Sequence, residues 1–345
     1  MTNSFYYRFT MVLILIIFLS GLNYCNGTGS DSILINPAEN YPRWLLSGGY
    51  NTSQTSGITF LNESDDGTLQ FLLADDIGKI HRFFVKDDTV FSFSEIKFSQ
   101  KVIDYFSSFP KLDFEEIFYD KYSGDVYLTI EGNGEEYLSF HGIYELEFNN
   151  NDVFQDSIIG IVKLDFKPTE IFYKDLRQNI GYEGFTADEN YFYLGLENVQ
   201  TGDGNFSNHT IIRIADKKSR LIVKEISTEN LEIATICGLY SDENYSIWGI
   251  DRNNKKVFKL NFDEYFSVTE IKIFDVKTVI PGYNSFEYVG SLESITIAET
   301  KFLFLVDDPW QTYFIPPDEI LNQLNQSSIN NFKKFIPVIY KFIIE

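Results

Sequence analysis

The chain has 345 residues, with 28 Lys+Arg against 50 Asp+Glu and a formal charge of −22. That excess of acid excludes a generic nucleic-acid binder, which gains affinity by releasing counterions from phosphates, and equally excludes docking on an anionic membrane. Aromatic residues at 17%, among them 33 Phe and 22 Tyr, favour sheet over helix, and 44% apolar content is ample for one large core.

Arg8 precedes the apolar run from Met11 to Leu19, and small and polar residues then lead to Cys25-Asn26-Gly27. This pattern predicts a secretory signal peptide over residues 1–27, with an uncleaved signal anchor as the alternative; the run is short for a full membrane span. Residues 28–41 read as an N-terminal linker and 42–345 as a single domain. Arg8 is the leader's only charged residue, so its loss leaves the remainder still more acidic. Cleavage also removes Cys25 and leaves Cys237 alone, so a secreted monomer without an internal disulfide is expected, held by its core. Asn-x-Ser/Thr sequons at Asn51, Asn62, Asn205, Asn208, Asn244 and Asn325 fit an extracellular glycoprotein; accidental sequons in an Asn-rich chain are the alternative.

A repeat follows. Ser56-Gly57-Ile58-Thr59-Phe60 is followed by the strand-like run Leu69–Asp76, and Glu115–Asp120 by Asp125–Glu131. Glu183–Asp188 leads to Tyr191–Asn198, Cys237–Asp242 to Ser246–Asp251, and Glu293–Ile297 to Phe302–Asp308. The markers Ser56, Glu115, Glu183, Cys237 and Glu293 recur at intervals of 54 to 68 residues. Further strand-like segments, such as Val257–Phe262 and Val268–Phe274, lie between them. Four antiparallel strands per period predict an all-β fold, a β-propeller of five blades, with six possible if one copy has decayed. The last unit has one strand too few after its second strand, in 335–344. The segment Arg43–Ser47 is expected to complete it and close the ring with both termini in one blade. Residues 317–324 form the one helical stretch expected.

In such a fold the markers surround the axis, and the acids closing the second strands (Asp75, Asp76, Glu131, Glu197, Asp251, Asp307, Asp308) rim the same mouth. Carboxylates converging in a narrow channel must be relieved by protons or by a cation, and Ca²⁺ with oxygen ligands is the simplest cation outside the cell. The competing reading is that these residues cap strands and hold channel water. Cys237 reads as a small buried filler. The three histidines, His81, His141 and His209, have no metal-ligand spacing, and neither a Gly-x-Ser-x-Gly elbow nor a Gly-rich phosphate loop is present. What remains is metal-assisted hydrolysis, with Glu131, Glu197 and Arg252 as catalytic candidates. Arg82, Asp251, Arg252, Asp307 and Asp308 are the expected substrate contacts, each basic residue being equally readable as a solvated loop charge.

The stretches Gly181–Thr186 and Tyr193–Glu197, together with Asp113-Phe114-Glu115-Glu116-Ile117 and Ser56–Thr59 before Asp75-Asp76, resemble the blades of the phytase-like (esterase-like activity of phytase) propeller family. Glu116 stands where Gly is usual. A weaker likeness is to the five-bladed calcium-activated nucleotidases, the apyrases. It implies Ser56, Glu115, Glu183 and Glu293 as ligands of a central Ca²⁺, with Cys237 a departure, while the long Trp- and Arg-rich apyrase motifs are missing. Two functions are therefore expected. One is a secreted Ca²⁺-dependent phosphoesterase acting on a small anionic substrate; the other is a non-catalytic propeller that binds a protein or glycan partner through a Ca²⁺-stiffened ring.

Overall fold

The computed structural model describes residues 32–311 and 314–344; the expected signal peptide lies outside them. Five four-stranded antiparallel blades form a ring, and the count is five rather than six. The inner strands are Thr55–Glu63, Asp113–Tyr119, Tyr182–Ala187, Leu239–Tyr240 and Leu292–Ala298. The second strands are Leu69–Asp75, Val126–Glu131, Tyr191–Leu196, Ser246–Asp251 and Phe302–Asp307. The inner strands touch one another in cyclic order, blade one against both two and five.

The closing blade is built as its missing strand demanded. Val338–Ile343 lies beside Phe302–Asp307, and Arg43–Trp44 adds antiparallel to it, with Arg43 opposite Ile339 and Trp44 opposite Val338. Blades two and four each gain a fifth, parallel strand that periodicity did not signal. Lys97–Phe98 pairs with Ser157–Ile158, and Ile33–Ile35 pairs with Phe274–Val276. Part of the stretch expected to be a linker is thus an edge strand that covers an otherwise open one. Helices occur at Asp318–Leu321, inside the expected stretch, and also at Gln100–Phe106 and Gln326–Lys333. The last is capped by Asn325, whose side chain accepts from Ser328 N at 2.9 Å. Among the described residues, no helix is long and apolar enough to cross a membrane.

The Phe and Tyr content has a geometric cause. Blades splay outward from the axis, so the gaps between them widen and need bulky side chains to fill. Five buried clusters sit at the five gaps. At the gap that closes the ring, Phe304 of blade five meets Phe71 of blade one with centroids 5.0 Å apart, and Tyr41 at 6.2 Å.

The axis itself is tight. Inner-strand N–H groups facing the next blade have no ladder partner there, and hydroxyls of the neighbouring blade accept from them. Ile58 N donates to Ser294 Oγ at 2.9 Å, Phe60 N to Thr296 Oγ1 at 3.0 Å, Tyr119 N to Thr59 Oγ1 at 3.0 Å and Ser241 N to Thr186 Oγ1 at 2.9 Å. A Cβ on Gly57 would lie 2.7 Å from Glu115 O, and one on Gly238 would lie 2.9 Å from Ser294 Cα, so neither position admits a side chain without movement. Glu116 fills the space these small residues leave. It is 1% exposed and accepts from Ser294 Oγ at 2.7 Å, which ties blade two to the non-adjacent blade five.

Phe304→Ala should destabilise the protein by about 3–5 kcal/mol, because a fully buried ring at the closing gap leaves a cavity. Exposed Phe206→Ala should cost under about 0.5 kcal/mol. Urea denaturation of the two variants checks both values.

Candidate functional site

The markers point into the channel because each lies at an irregularity of the ladder. Register shifts fall between Thr55 and Gly57, Phe114 and Ile117, Tyr182 and Gly184, and Leu292 and Ser294. Ser56, Glu115, Glu183 and Glu293 lie inside these bulges. In blade four Cys237 and Gly238 both bond to Ile250, at 3.2 and 3.1 Å. A bulge sets two residues against one on the partner strand and re-aims a side chain that strict alternation would bury in the sheet.

A second tier lies just above. By register, Asp76, Glu131, Glu197, Arg252 and Asp308 are equivalent: each stands three residues beyond the partner of the residue two after its marker. All five line one cavity of about 370 Å³, together with Ser56, Glu115, Glu183 and Glu293. Lys111, Asp113, Gln54, Asn133, Asn179 and Trp310 complete its wall. Eight carboxylates therefore share the mouth with two cations, Lys111 and Arg252.

The expected single ring of ligands divides into two halves. In one, Arg252 is the central cation. Its Nη1 donates to Glu293 Oε2 at 2.5 Å, and its Nη2 donates to Glu197 Oε1 at 2.7 Å and lies 3.9 Å from Glu183 Oε2. Burial opposes the Arg252 charge, but the carboxylates of Glu293, Glu183 and Glu197 around it act the other way, and its pKa is raised well above the ordinary value. Burial nevertheless pushes Glu183 and Glu197 up, against the pull of Arg252. Cys237 is 2% exposed, and burial raises its thiol well above the ordinary range, in keeping with a filler.

In the other half, Asp113, Glu115 and Glu131 offer oxygens that all lie within 4.8 Å of one another. Lys111 pairs with Asp113, whose other oxygen accepts from Asn133 Nδ2 at 2.8 Å. Glu131 is 7% exposed and its Oε1 has no hydrogen-bond partner. Burial, then Asp113 and other carboxylates, push both Glu115 and Glu131 well above the usual carboxylate range. Asp308, 4% exposed with Oδ1 unpartnered, is raised by burial and by Glu293 and Asp76. Burial lifts Asp76 to about 7 even though Lys111 opposes it.

Three expected substrate contacts lie elsewhere. Asp251 and Asp307 precede the mouth tier by one residue, and a period of two turns them into their own blades. Asp251 accepts from Ala234 N at 2.9 Å and Thr235 Oγ1 at 3.0 Å, and Asp307 from Ser291 N and Tyr288 OH, both at 3.1 Å. Asp75 does likewise, bonding Thr55 Oγ1 at 2.8 Å and His81 Nε2 at 2.8 Å. Arg82, on a third strand, is 3% exposed and donates to Val153 O at 2.6 Å and Gln155 O at 3.0 Å, so it pins a loop of blade two. Ser56 stays at the mouth, but its hydroxyl donates to Phe114 O at 2.5 Å. Sequence reasoning missed Asp113, Lys111 and Trp310 as part of the wall. Asp113 was within reach of it, since Asp113-Phe114-Glu115 places two acids at alternate positions.

No family model and no curated protein matches the chain. Solved structures similar to it include a luciferin-regenerating enzyme (13% identity, 85% of this chain and 92% of that one, TM-score 0.45). A second is the PQQ-bound aldose sugar dehydrogenase of Streptomyces coelicolor (11%, 90% and 100%, TM-score 0.42). A third is virginiamycin B lyase of Staphylococcus aureus (11%, 88% and 99%, TM-score 0.38).

Two outcomes follow from the charge balance. Arg252→Met should cost about 3–5 kcal/mol at pH 7.5, because it removes the cation among three converging carboxylates, and much less at pH 5, where Glu183 and Glu197, raised by burial, take up protons. Urea denaturation at the two pH values reads this difference; equal losses would refute it. In the wild type with EDTA, the raised carboxyls keep protons in the folded state that the unfolded chain has already released. Stability should therefore fall as pH rises from the ordinary carboxylate range through about 7, the value of Asp76 and Asp307. Thermal melts between pH 4.5 and 8 test the sign.

Proposed function

We propose that this propeller is a Ca²⁺-dependent hydrolase, a phosphoesterase working on a small ester at the acidic mouth. The observation that carries this reading is the trio Asp113, Glu115 and Glu131, with oxygens within 4.8 Å and the buried Glu131 Oε1 without a partner. Three converging hard oxygens, one of them unsatisfied, fit a cation that takes six to eight oxygen ligands and completes its shell with water. The resemblance of Gly181–Thr186 and Asp113–Ile117 to phytase-like blades supports the same reading, as does the signal peptide expected at residues 1–27, which would bring the mouth into calcium-rich surroundings. Bound Ca²⁺ would neutralise the phosphoryl oxygens and draw charge from the bond to be broken.

The chain's own residues supply the rest. Asp76 lines the mouth, with Oδ2 held by Gln54 Nε2 at 3.1 Å and the buried Oδ1 bonded to no protein group. With its pKa at about 7, Asp76 is poised as a general base. It takes a proton from a water whose oxygen bonds to phosphorus as the bond to the leaving oxygen breaks, and the leaving oxygen then takes that proton. Glu131 serves as a ligand. Arg252 and Glu197 are bonded to each other, so they fix the opposite wall rather than grip the ester.

That pairing also supports a second reading, in which the Ca²⁺-stiffened mouth binds a protein or glycan without turnover. Calcium should raise the melting temperature at pH 7.5, and Glu131→Gln should abolish most of that rise while leaving the EDTA melt unchanged or higher. Differential scanning calorimetry checks this, and an equal calcium shift in the variant would remove Glu131 from the site. Chelator-sensitive phosphate release across aryl phosphomonoesters and phosphodiesters, inositol phosphates and nucleotides would establish the hydrolase; calcium binding with no release would leave the second reading.

A further inference from the structure

The mouth is too acidic for a purely anionic substrate. Two cations face eight carboxyl groups, so with one divalent ion on the Asp113–Glu115–Glu131 trio the mouth still holds more acids than positive charges. Part of that excess has a definite address. Asp308 is 4% exposed, lines the cavity and keeps Oδ1 without a hydrogen-bond partner. Two residues on, Trp310 lines the same cavity, is 39% exposed, and is tied to Asp308 by its backbone N donating to Asp308 O at 2.9 Å. An unsatisfied carboxylate and a partly exposed indole on one cavity wall are the chemistry that recognises an ammonium group, through ion pairing and cation–π attraction. The cavity already holds one organic cation of its own by ion pairing, the Arg252 guanidinium among Glu293, Glu197 and Glu183.

We propose that the substrate is a zwitterionic phosphoester, a small aminoalkyl or quaternary-ammonium phosphate ester, with its ammonium group held by Asp308 and Trp310. This rests on the hydrolase reading for the phosphate end only; the ammonium site stands on Asp308 and Trp310. The bond change is the one already described, with water added across the phosphorus–oxygen bond and the ammonium group unaltered. Charge complementarity explains how one cavity serves both ends, since the trio side takes the phosphate through the metal and the Asp308 side takes the cation.

The test has two independent arms on the calcium-loaded, full-length protein. In the first, isothermal titration with choline and with its neutral isostere 3,3-dimethylbutanol should show at least tenfold tighter binding of choline. Asp308→Asn and Trp310→Ala should each abolish that preference without changing the calcium-induced melting shift. Equal binding of the two probes, or a preference that survives both variants, overturns the ammonium site. In the second, kcat/KM is compared for para-nitrophenyl phosphorylcholine and the para-nitrophenyl 3,3-dimethylbutyl phosphodiester. Preference for the first supports the proposal. Turnover of both at one rate refutes it but leaves the hydrolase standing, whereas turnover of neither, with choline still bound, refutes the hydrolase and leaves the ammonium site.

Discussion

Five strand edges meeting at one axis are the constraint on which this structure depends. An inner strand has a ladder partner on one side only, and its other edge faces the next blade at side-chain hydrogen-bonding distance. Ser294, Thr296, Thr59 and Thr186 resolve this with hydroxyls that accept the stranded N–H groups of the adjoining blade. Gly57 and Gly238 resolve it by having no side chain. Glu116 stands at the equivalent position of blade two and fills the gap its small counterparts leave. Its 2.7 Å bond with Ser294 crosses the axis between blades that are not neighbours.

The same crowding generates the site. The ladder cannot stay regular where inner strands converge, and the bulges that relieve it turn Ser56, Glu115, Glu183 and Glu293 toward the axis. Strand ends just above add Asp76, Glu131, Glu197, Arg252 and Asp308. Whether an acid reaches the mouth depends on parity: Asp75, Asp251 and Asp307 come one residue earlier and spend their oxygens on their own blades.

That parity also marks how far the sequence was legible. The period, the five markers, the second strands and the closing strand at Arg43–Trp44 were readable because each is a repeated local pattern with one consistent partner. The parallel strands at Ile33–Ile35 and Lys97–Phe98 were not, since they are short, sit at edges and repeat nowhere else. At the site, the carboxylates were legible as a class, but not which would face the channel, because one residue of register decides it. Arg252 was noticed for its charge while its role was hidden. Its three carboxylate partners come from blades three and five, and only closure of the ring brings them to a side chain of blade four. Arg82 misled for the opposite reason: its charge suggested the mouth, but its strand directs it to the loop at 153–156.

The division of the mouth has a functional consequence of its own. An internal guanidinium is a permanent counter-ion: it cannot dissociate, and its geometry is set by the fold, so Glu183, Glu197 and Glu293 share one fixed positive charge before any ligand arrives. Around Asp113, Glu115 and Glu131 no such internal guanidinium stands among the described residues, and Lys111 on Asp113 is the near cation. Had all the carboxylates been left to one bound ion, its loss would have destabilised the axis from every blade at once. With Arg252 in place, one half of the mouth is tied across blades three, four and five, while the far half keeps buried carboxyl groups raised by burial and by one another. The fold thereby separates the charges that hold it together from those that are free to bind.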